Sequence, residues 1–157
     1  MRAARGFDTS LINGWYTQGQ YRNPNADKST ATVRFPLADG VYMERLVEEV
    51  SITEPETGMN TVRRANFKGK WGGLWWQPPT MTIEDGDEIW IVEGCLDAIA
   101  LNLNGTKAVA SLSAQHYPQK ALAGLKGRKI KLVWALDNDH AGKSNICLLY
   151  TSPSPRD

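Results

Sequence analysis

The chain has 157 residues, 41% hydrophobic and 22% charged, with 18 Lys and Arg against 17 Asp and Glu for a net charge of +1. That composition fits one domain or two small ones, excludes a disordered chain, and gives no whole-molecule attraction to nucleic acid or membrane. The longest apolar runs, Ile89 to Val92 and Leu132 to Leu136, fall far short of the roughly 20 residues a membrane helix needs.

The basic start lacks the apolar stretch of a secretory signal. Two cysteines, Cys95 and Cys147, make neither a disulfide framework nor a zinc site, so a reducing cytoplasm is the expected location. Residues 1–87 carry 10 basic and 11 acidic side chains, and residues 88–145 carry 7 and 5.

The first block reads as short strands and turns. A brief helical candidate lies near Asp8 to Asn13, with Asp8 or Thr9 as its cap. The alternating run Ala31 to Pro36 predicts a strand, followed by a turn at Ala38, Asp39 and Gly40. Val41 to Ile52 is ambiguous: Met43, Leu46, Val47 and Val50 fit helical spacing, whereas the preceding Asp-Gly and the β-branched ends suit the returning arm of a hairpin. The strand is favoured. After a turn at Glu54 to Gly58, Thr61 to Phe67 predicts a further strand, and Lys68 to Pro79 an irregular loop rich in glycine and tryptophan.

From Glu88 the pattern changes to alternating strand and helix. Ile89 to Val92 is β-branched and aromatic without polar alternation, as in a strand buried on both faces. Leu96, Ile99, Ala100 and Leu103 recur at helical spacing, and Asn104-Gly105 ends that helix. Val109 to Leu112 predicts a second buried strand. Pro118 opens a second helix, with Ala121, Leu122 and Leu125 on one face, and Lys129 to Leu136 is a third strand. This β-α-β-α-β order implies parallel strands with right-handed crossovers, whose ligands bind at the carboxyl ends.

Acids sit at those ends. The first strand runs into Glu93-Gly94, Asp97 lies in the first turn of the next helix, and the third strand runs into Asp137-Asn138-Asp139. Taken singly, Asp97 is a favourable residue for a helix start, and Asp137 and Asp139 are ordinary turn residues. Glu93, directly after a buried run, is an unusual place for a solvated charge. Their joint occurrence at two strand ends favours a site, because like charges brought together call for a cation; an all-oxygen set suits Mg²⁺ or Mn²⁺.

Competing motifs fail on particular positions. As an EF-hand loop starting at Asp137, the sequence places Ala141 and Leu148 where oxygen ligands are required. As a P-loop ending in Gly142-Lys143-Ser144, it has Asp137 in place of the first glycine. Cys95 reads as a small buried filler and His116 as a helix-entry residue. Trp71, Trp75 and Trp76, interleaved with Arg63, Arg64, Lys68 and Lys70, either form a groove for single-stranded nucleic acid or pack internally.

The segments Ile89 to Leu101 (IWIVEGCLDAIAL) and Leu132 to Gly142 (LVWALDNDHAG) together resemble a toprim domain, the metal-binding α/β unit of DnaG-type primases, topoisomerases and some nucleases. The E-G-x-x-D-A form resembles the primase variant. The upstream block, with Arg5-Gly6-Phe7, a hairpin and a basic tryptophan-bearing stretch, is similar more weakly to the N-terminal subdomain of phage and mobile-element primases and primase-helicases.

The resemblance implies a Rossmann-like parallel sheet preceded by a small β-rich subdomain. Glu93 would be the acid/base glutamate and Asp97, Asp137 and Asp139 the metal ligands. Arg63, Arg64, Lys68, Lys70 and Trp71 are expected to contact nucleic acid. It further implies Mg²⁺ (or Mn²⁺), a single-stranded DNA template, ribonucleoside triphosphates and a replicative helicase as cofactor and partners, with no membrane.

The expected organisation is 1–87 as the β-rich subdomain, 88–145 as a toprim domain truncated at its C-terminal side, and 146–157 as a non-native or disordered tail, so that the chain is expected to be a fragment, inactive alone. The expected activity is primase-type nucleotidyl transfer; another toprim nuclease or topoisomerase, or a non-catalytic DNA-binding accessory module, remains the alternative.

Overall fold

A computed structural model of the chain describes residues 6–137. They fall into two compact units: Gly14–Trp71, and the remainder, in which the segment from Gly72 joins the strands and helices that follow it. Residues 72–87 therefore cluster with the parallel sheet, although the sequence groups them with the β-rich block. The segment 138–157, with Asp139, His140 and the tail, lies outside the described residues, as does Arg5.

The Gly14–Trp71 unit is a four-stranded antiparallel sheet of β1 (Thr17–Tyr21), β2 (Thr30–Ala38), β3 (Val41–Thr53) and β4 (Asn60–Lys68), in the order β1-β2-β3-β4. β2 and β3 form a hairpin whose turn needs the left-handed backbone of Gly40, φ 71°. The ambiguity over Val41 to Ile52 has a physical cause. β3 is a strand, but the pairing with β4 shifts register between Arg45 and Val50. The inserted residues Val47 to Glu49 are exposed, and the buried pattern resumes at Val50, so Leu46 and Val50 sit at helical spacing inside a strand. Tyr21, Leu46, Val50 and Ile52 make this unit's apolar cluster.

β1 was not anticipated. Its sequence, TQGQY, has no apolar alternation, and Tyr21 is its one buried residue. As an edge strand it borrows order from β2, pairing Thr17 with Arg34 through Tyr21 with Thr30.

A buried carboxylate lies in this sheet. Glu44 is 2% exposed and accepts from Thr32 Oγ1 at 2.8 Å, Arg34 Nε at 2.8 Å and Asn66 Nδ2 at 3.0 Å. Burial pushes its pKa up, but hydrogen bonds from Arg34, Asn66 and Thr32, with the Arg34 charge, outweigh burial and hold it below the ordinary glutamate value. Arg34 also lies 4.6 Å from the Tyr42 ring centroid and packs against Gly19, where any Cβ would collide with the guanidinium.

The second unit begins with one turn of 3-10 helix, Thr9–Ile12, capped by Asp8, whose Oδ1 accepts from Ser10 N at 3.1 Å. Its main part is β5 (Glu88–Val92), α1 (Cys95–Leu103), β6 (Ala108–Ala110), α2 (Gln119–Ala123) and β7 (Lys131–Trp134). The three strands are parallel in the order β6-β5-β7. β5 is central, with Ile89 and Ile91 at 0% exposure, which accounts for its lack of polar alternation. Those side chains pack with Trp75, Val109, Leu122, Leu125 and Ile130.

The tryptophan loop closes the sheet. Trp76 exchanges both backbone hydrogen bonds with Ala110, at 2.9 and 2.8 Å, and so covers the outer edge of β6. The Gly73 carbonyl accepts from the N–H groups of Lys120 and Ala121, satisfying the first turn of α2. At the amino edge, Lys107 Nζ donates to Asp87 Oδ2 at 2.6 Å and Thr82 O at 2.7 Å, while Lys131 pairs with Glu88 at 2.9 Å. Hydrogen bonds from Lys107 to Asp87 and from Lys131 to Glu88 lower both carboxyl pKa values. No helix among the described residues is long and apolar enough to cross a membrane.

Candidate active site

Strand order locates the site. The chain leaves β5 for β6 on one side, then crosses to β7 on the other, so the strand order reverses between β5 and β7. A crevice opens at such a reversal, and ligands of open α/β sheets bind there. Glu93 follows β5 directly, and Asp137 lies three residues beyond the end of β7.

The ladder carries these two residues together. Ala135 N–H donates to Ile91 O at 2.8 Å, extending β7 past Trp134, and Asp137 N–H then donates to Glu93 Oε1 at 3.2 Å. The Glu93 carboxylate thus turns toward the β7 end. Glu93 is half-buried, whereas Asp137 is exposed.

Asp97 joins from the helix. Gly94 is the N-cap of α1 in extended backbone, and Asp97 is the acid of the first turn. A Cβ placed on Gly94 would stand 3.1 Å from Asp97 Oδ2, so the glycine leaves room for that carboxylate beside Glu93's own backbone. Helix geometry and the positive field of the helix start favour an acid in this turn on their own account. Among the described residues, neither Asp97 nor Asp137 forms an ion pair, in contrast to Asp87 and Glu88 at the opposite edge.

Among the described residues, no group of three or more His, Cys, Asp or Glu side chains is gathered as a metal site. Glu93 and Asp137 meet through one hydrogen bond and Asp97 lies beside Gly94, so the three are not gathered as one cluster, but each offers hard carboxylate oxygens. In chemical type they fit Mg²⁺ or Mn²⁺. The fourth predicted ligand, Asp139, lies outside the described residues.

The residues expected to contact nucleic acid are distributed through the antiparallel sheet. Arg63 Nη1 donates to Asn66 Oδ1 at 3.5 Å, and Arg64 is paired with Glu49. Lys68 Nζ lies 5.8 Å from the Tyr42 ring centroid, and Trp71 stacks on Phe67 at 4.1 Å and 19°. Lys70 is exposed. Phe67 pairs with Met43, and its neighbour Lys68 pairs with Tyr42. Adjacent strand residues point to opposite faces, so the Phe67–Trp71 stack and the Lys68–Tyr42–Arg34 group are on different sides of the sheet. Trp75 and Trp76, at 8% and 0% exposure, are packing residues of the α/β unit and present no free ring to a base.

Sequence reasoning overlooked Arg34 and Tyr42, whose ring lies under both Arg34 and Lys68. Their only local signal was the alternation of Ala31 to Pro36, which does not reveal what lies across the hairpin. It also overlooked Leu112, whose left-handed backbone, φ 78°, lies beside Glu93.

The pattern of the Toprim-like family matches residues 90–149, a span that starts within β5 and takes in Glu93, Asp97, Asp137 and Asp139. No curated protein matches the chain. Residues 90–149 are thus similar to the Toprim-like family, and the chain combines a parallel and an antiparallel sheet. Toprim domains occur in metal-dependent enzymes acting on nucleic acids, primases, nucleases and topoisomerases among them, and they bind Mg²⁺.

Proposed function

We propose that this chain carries catalytic-core elements of a DNA primase or primase-helicase, joining ribonucleotides into primers on a single-stranded DNA template. The observation that carries the reading is the meeting of Glu93 Oε1 with Asp137 N–H at the β5/β7 strand ends, with Asp97 set over Gly94. The glutamate followed by G-x-x-D-A, here Glu93 to Ala98, supports the primase form over other toprim enzymes.

In this reading Asp137 and Asp139, helped by Asp97 and Glu93, hold the cation, and Glu93 is also the acid/base group for the proton of the attacking hydroxyl. Bound Mg²⁺ supplies charge neutralisation on the phosphates and on the leaving oxygen. The half-burial of Glu93 keeps its carboxylate at the sheet edge, oriented by the Asp137 amide, within reach of a hydroxyl brought into the crevice. In-line phosphoryl transfer needs positioning and charge compensation more than a covalent nucleophile, which matches a site built from carboxylates. Lys68, Lys70, Arg63, Arg64 and Trp71 are proposed to contact DNA through phosphate contact and stacking, divided between the two faces of the antiparallel sheet, with a replicative helicase as the associated partner.

The test is Mg²⁺-dependent incorporation of ribonucleotides on a single-stranded template, by this chain and by any longer protein that contains it, followed as primer-length RNA. Asp137→Asn and Asp139→Asn are expected to abolish it. Metal-dependent cleavage of DNA without primer synthesis would instead assign the site to a toprim nuclease or topoisomerase. Template binding that persists without divalent metal, with no turnover, would assign an accessory role.

A further inference from the structure

Leu112 is the one non-glycine position among the described residues with positive φ, at 78°. A Cβ in the left-handed region crowds its own carbonyl, so leucine there carries a steric penalty that the surroundings must enforce. The hydrogen bonds show what enforces it. Ser111 N–H donates to Val92 O at 2.7 Å, continuing the β6–β5 pairing, and Leu112 N–H donates to Glu93 O at 2.9 Å. In a parallel ladder only alternate residues direct their N–H groups to the same neighbour. Two consecutive donors to β5 require the chain to leave the pleat, and it does so at Leu112. The departure is closed by Ser111, 0% exposed, whose Oγ donates to Ser113 O at 3.2 Å.

We propose that Leu112 is a positioning residue for Glu93: its N–H anchors the Glu93 carbonyl, and its left-handed φ turns the chain away immediately after that bond, fixing the strand end from which the Glu93 carboxylate reaches toward Asp137. The glutamate is then held from both flanks, its main chain by the turn after β6 and its side chain by the Asp137 amide at 3.2 Å. This rests on the reading of Glu93 as a member of the metal-dependent site.

The probe is Mn²⁺ alone, titrated calorimetrically into the whole chain well below its thermal midpoint. The variants are Glu93→Gln, Leu112→Val, Leu112→Asn and Ser111→Ala. Branching at Cβ bars valine from the left-handed region, whereas asparagine tolerates it. Leu112→Val is expected to weaken Mn²⁺ binding about tenfold, as loss of a supporting contact does at metal sites, and Leu112→Asn to restore it to within about twofold. Should Leu112→Val fold poorly, Ser111→Ala opens the same turn more gently, with an expected loss of about threefold. A merely structural role would lower the midpoint of these variants and leave the dissociation constant of the folded protein unchanged.

Unchanged Mn²⁺ affinity in both folded Leu112→Val and folded Ser111→Ala, beside weakened affinity in Glu93→Gln, would overturn the positioning role while sparing the site. Equal affinity of Glu93→Gln and the unaltered protein would overturn the site reading, and this role with it.

Discussion

Glu44 and Glu93 are both glutamates in strand surroundings, and they are treated in opposite ways. Glu44, in the middle of β3, is buried and receives three side-chain donors, one of them the guanidinium of Arg34. Glu93, at the tip of β5, accepts a backbone amide and shares its edge with Asp97 and Asp137, neither of which forms an ion pair among the described residues. The first is an acid whose charge the fold balances internally. Under the proposed function, the second belongs to a set of acids at two strand ends that takes up a cation from outside. Where such charge balancing closes within the chain, an acid speaks for stability; where acids collect at strand ends, it speaks for binding.

The largest expected effect breaks the buried member of the pair. Glu44→Ala removes the partner of Thr32, Arg34 and Asn66 together and should cost about 3 kcal/mol or more of stability, read from denaturant unfolding. At the other site, Asp137→Asn should leave stability within about 0.5 kcal/mol while lowering Mg²⁺-dependent turnover by about 100-fold or more. Equal stability losses in the two variants would dissolve the contrast.

The pH response separates the sites further. The Glu44 pKa is depressed in the folded protein, so its contribution is complete above the ordinary glutamate value of about 4.3 and is lost as pH falls through the depressed value. Acid unfolding of the Gly14–Trp71 sheet, followed by circular dichroism, should therefore be less steep below pH 4 in a Glu44→Gln variant. A smaller effect sharpens the metal side. Gly94→Ala places a Cβ 3.1 Å from Asp97 Oδ2, at a backbone conformation alanine adopts freely, so the carboxylate must shift. Stability should change by only a few tenths of a kcal/mol, with Mn²⁺ affinity several-fold weaker. Smallest of all, Arg64→Ala breaks an exposed pair with Glu49 and should cost under about 0.5 kcal/mol.

The parallel half of the molecule was legible because buried strands write themselves as unbroken apolar runs. Ile89 to Val92 and the helical spacing of Leu96 to Leu103 determine β5 and α1 within a residue or two. Strand ends followed by acids then marked Glu93 and Asp137, and the described residues bring those two within one hydrogen bond. What remained hidden was set by neighbours distant in sequence. TQGQY becomes β1 only by pairing with β2, and the role of Arg34 depends on Glu44 across the hairpin. The bulge in β3 imitated helical spacing. The basic and aromatic residues around Trp71 look continuous along the chain but separate onto two faces once the strands pair. Leu112 gave no local signal, since its conformation is one that composition assigns to glycine.

The contrast between Glu44 and the β5/β7 edge comes to a single measurement: the thermal midpoint with and without Mg²⁺, for the unaltered protein, Asp137→Asn and Glu44→Gln. A ligand that binds the folded state raises the midpoint by an amount that grows with the logarithm of its concentration over Kd. The contrast between the two sites predicts a Mg²⁺-dependent rise in the unaltered protein, the same rise in Glu44→Gln from a lower starting point, and none in Asp137→Asn. A full rise in Asp137→Asn, or its loss in Glu44→Gln, would contradict it.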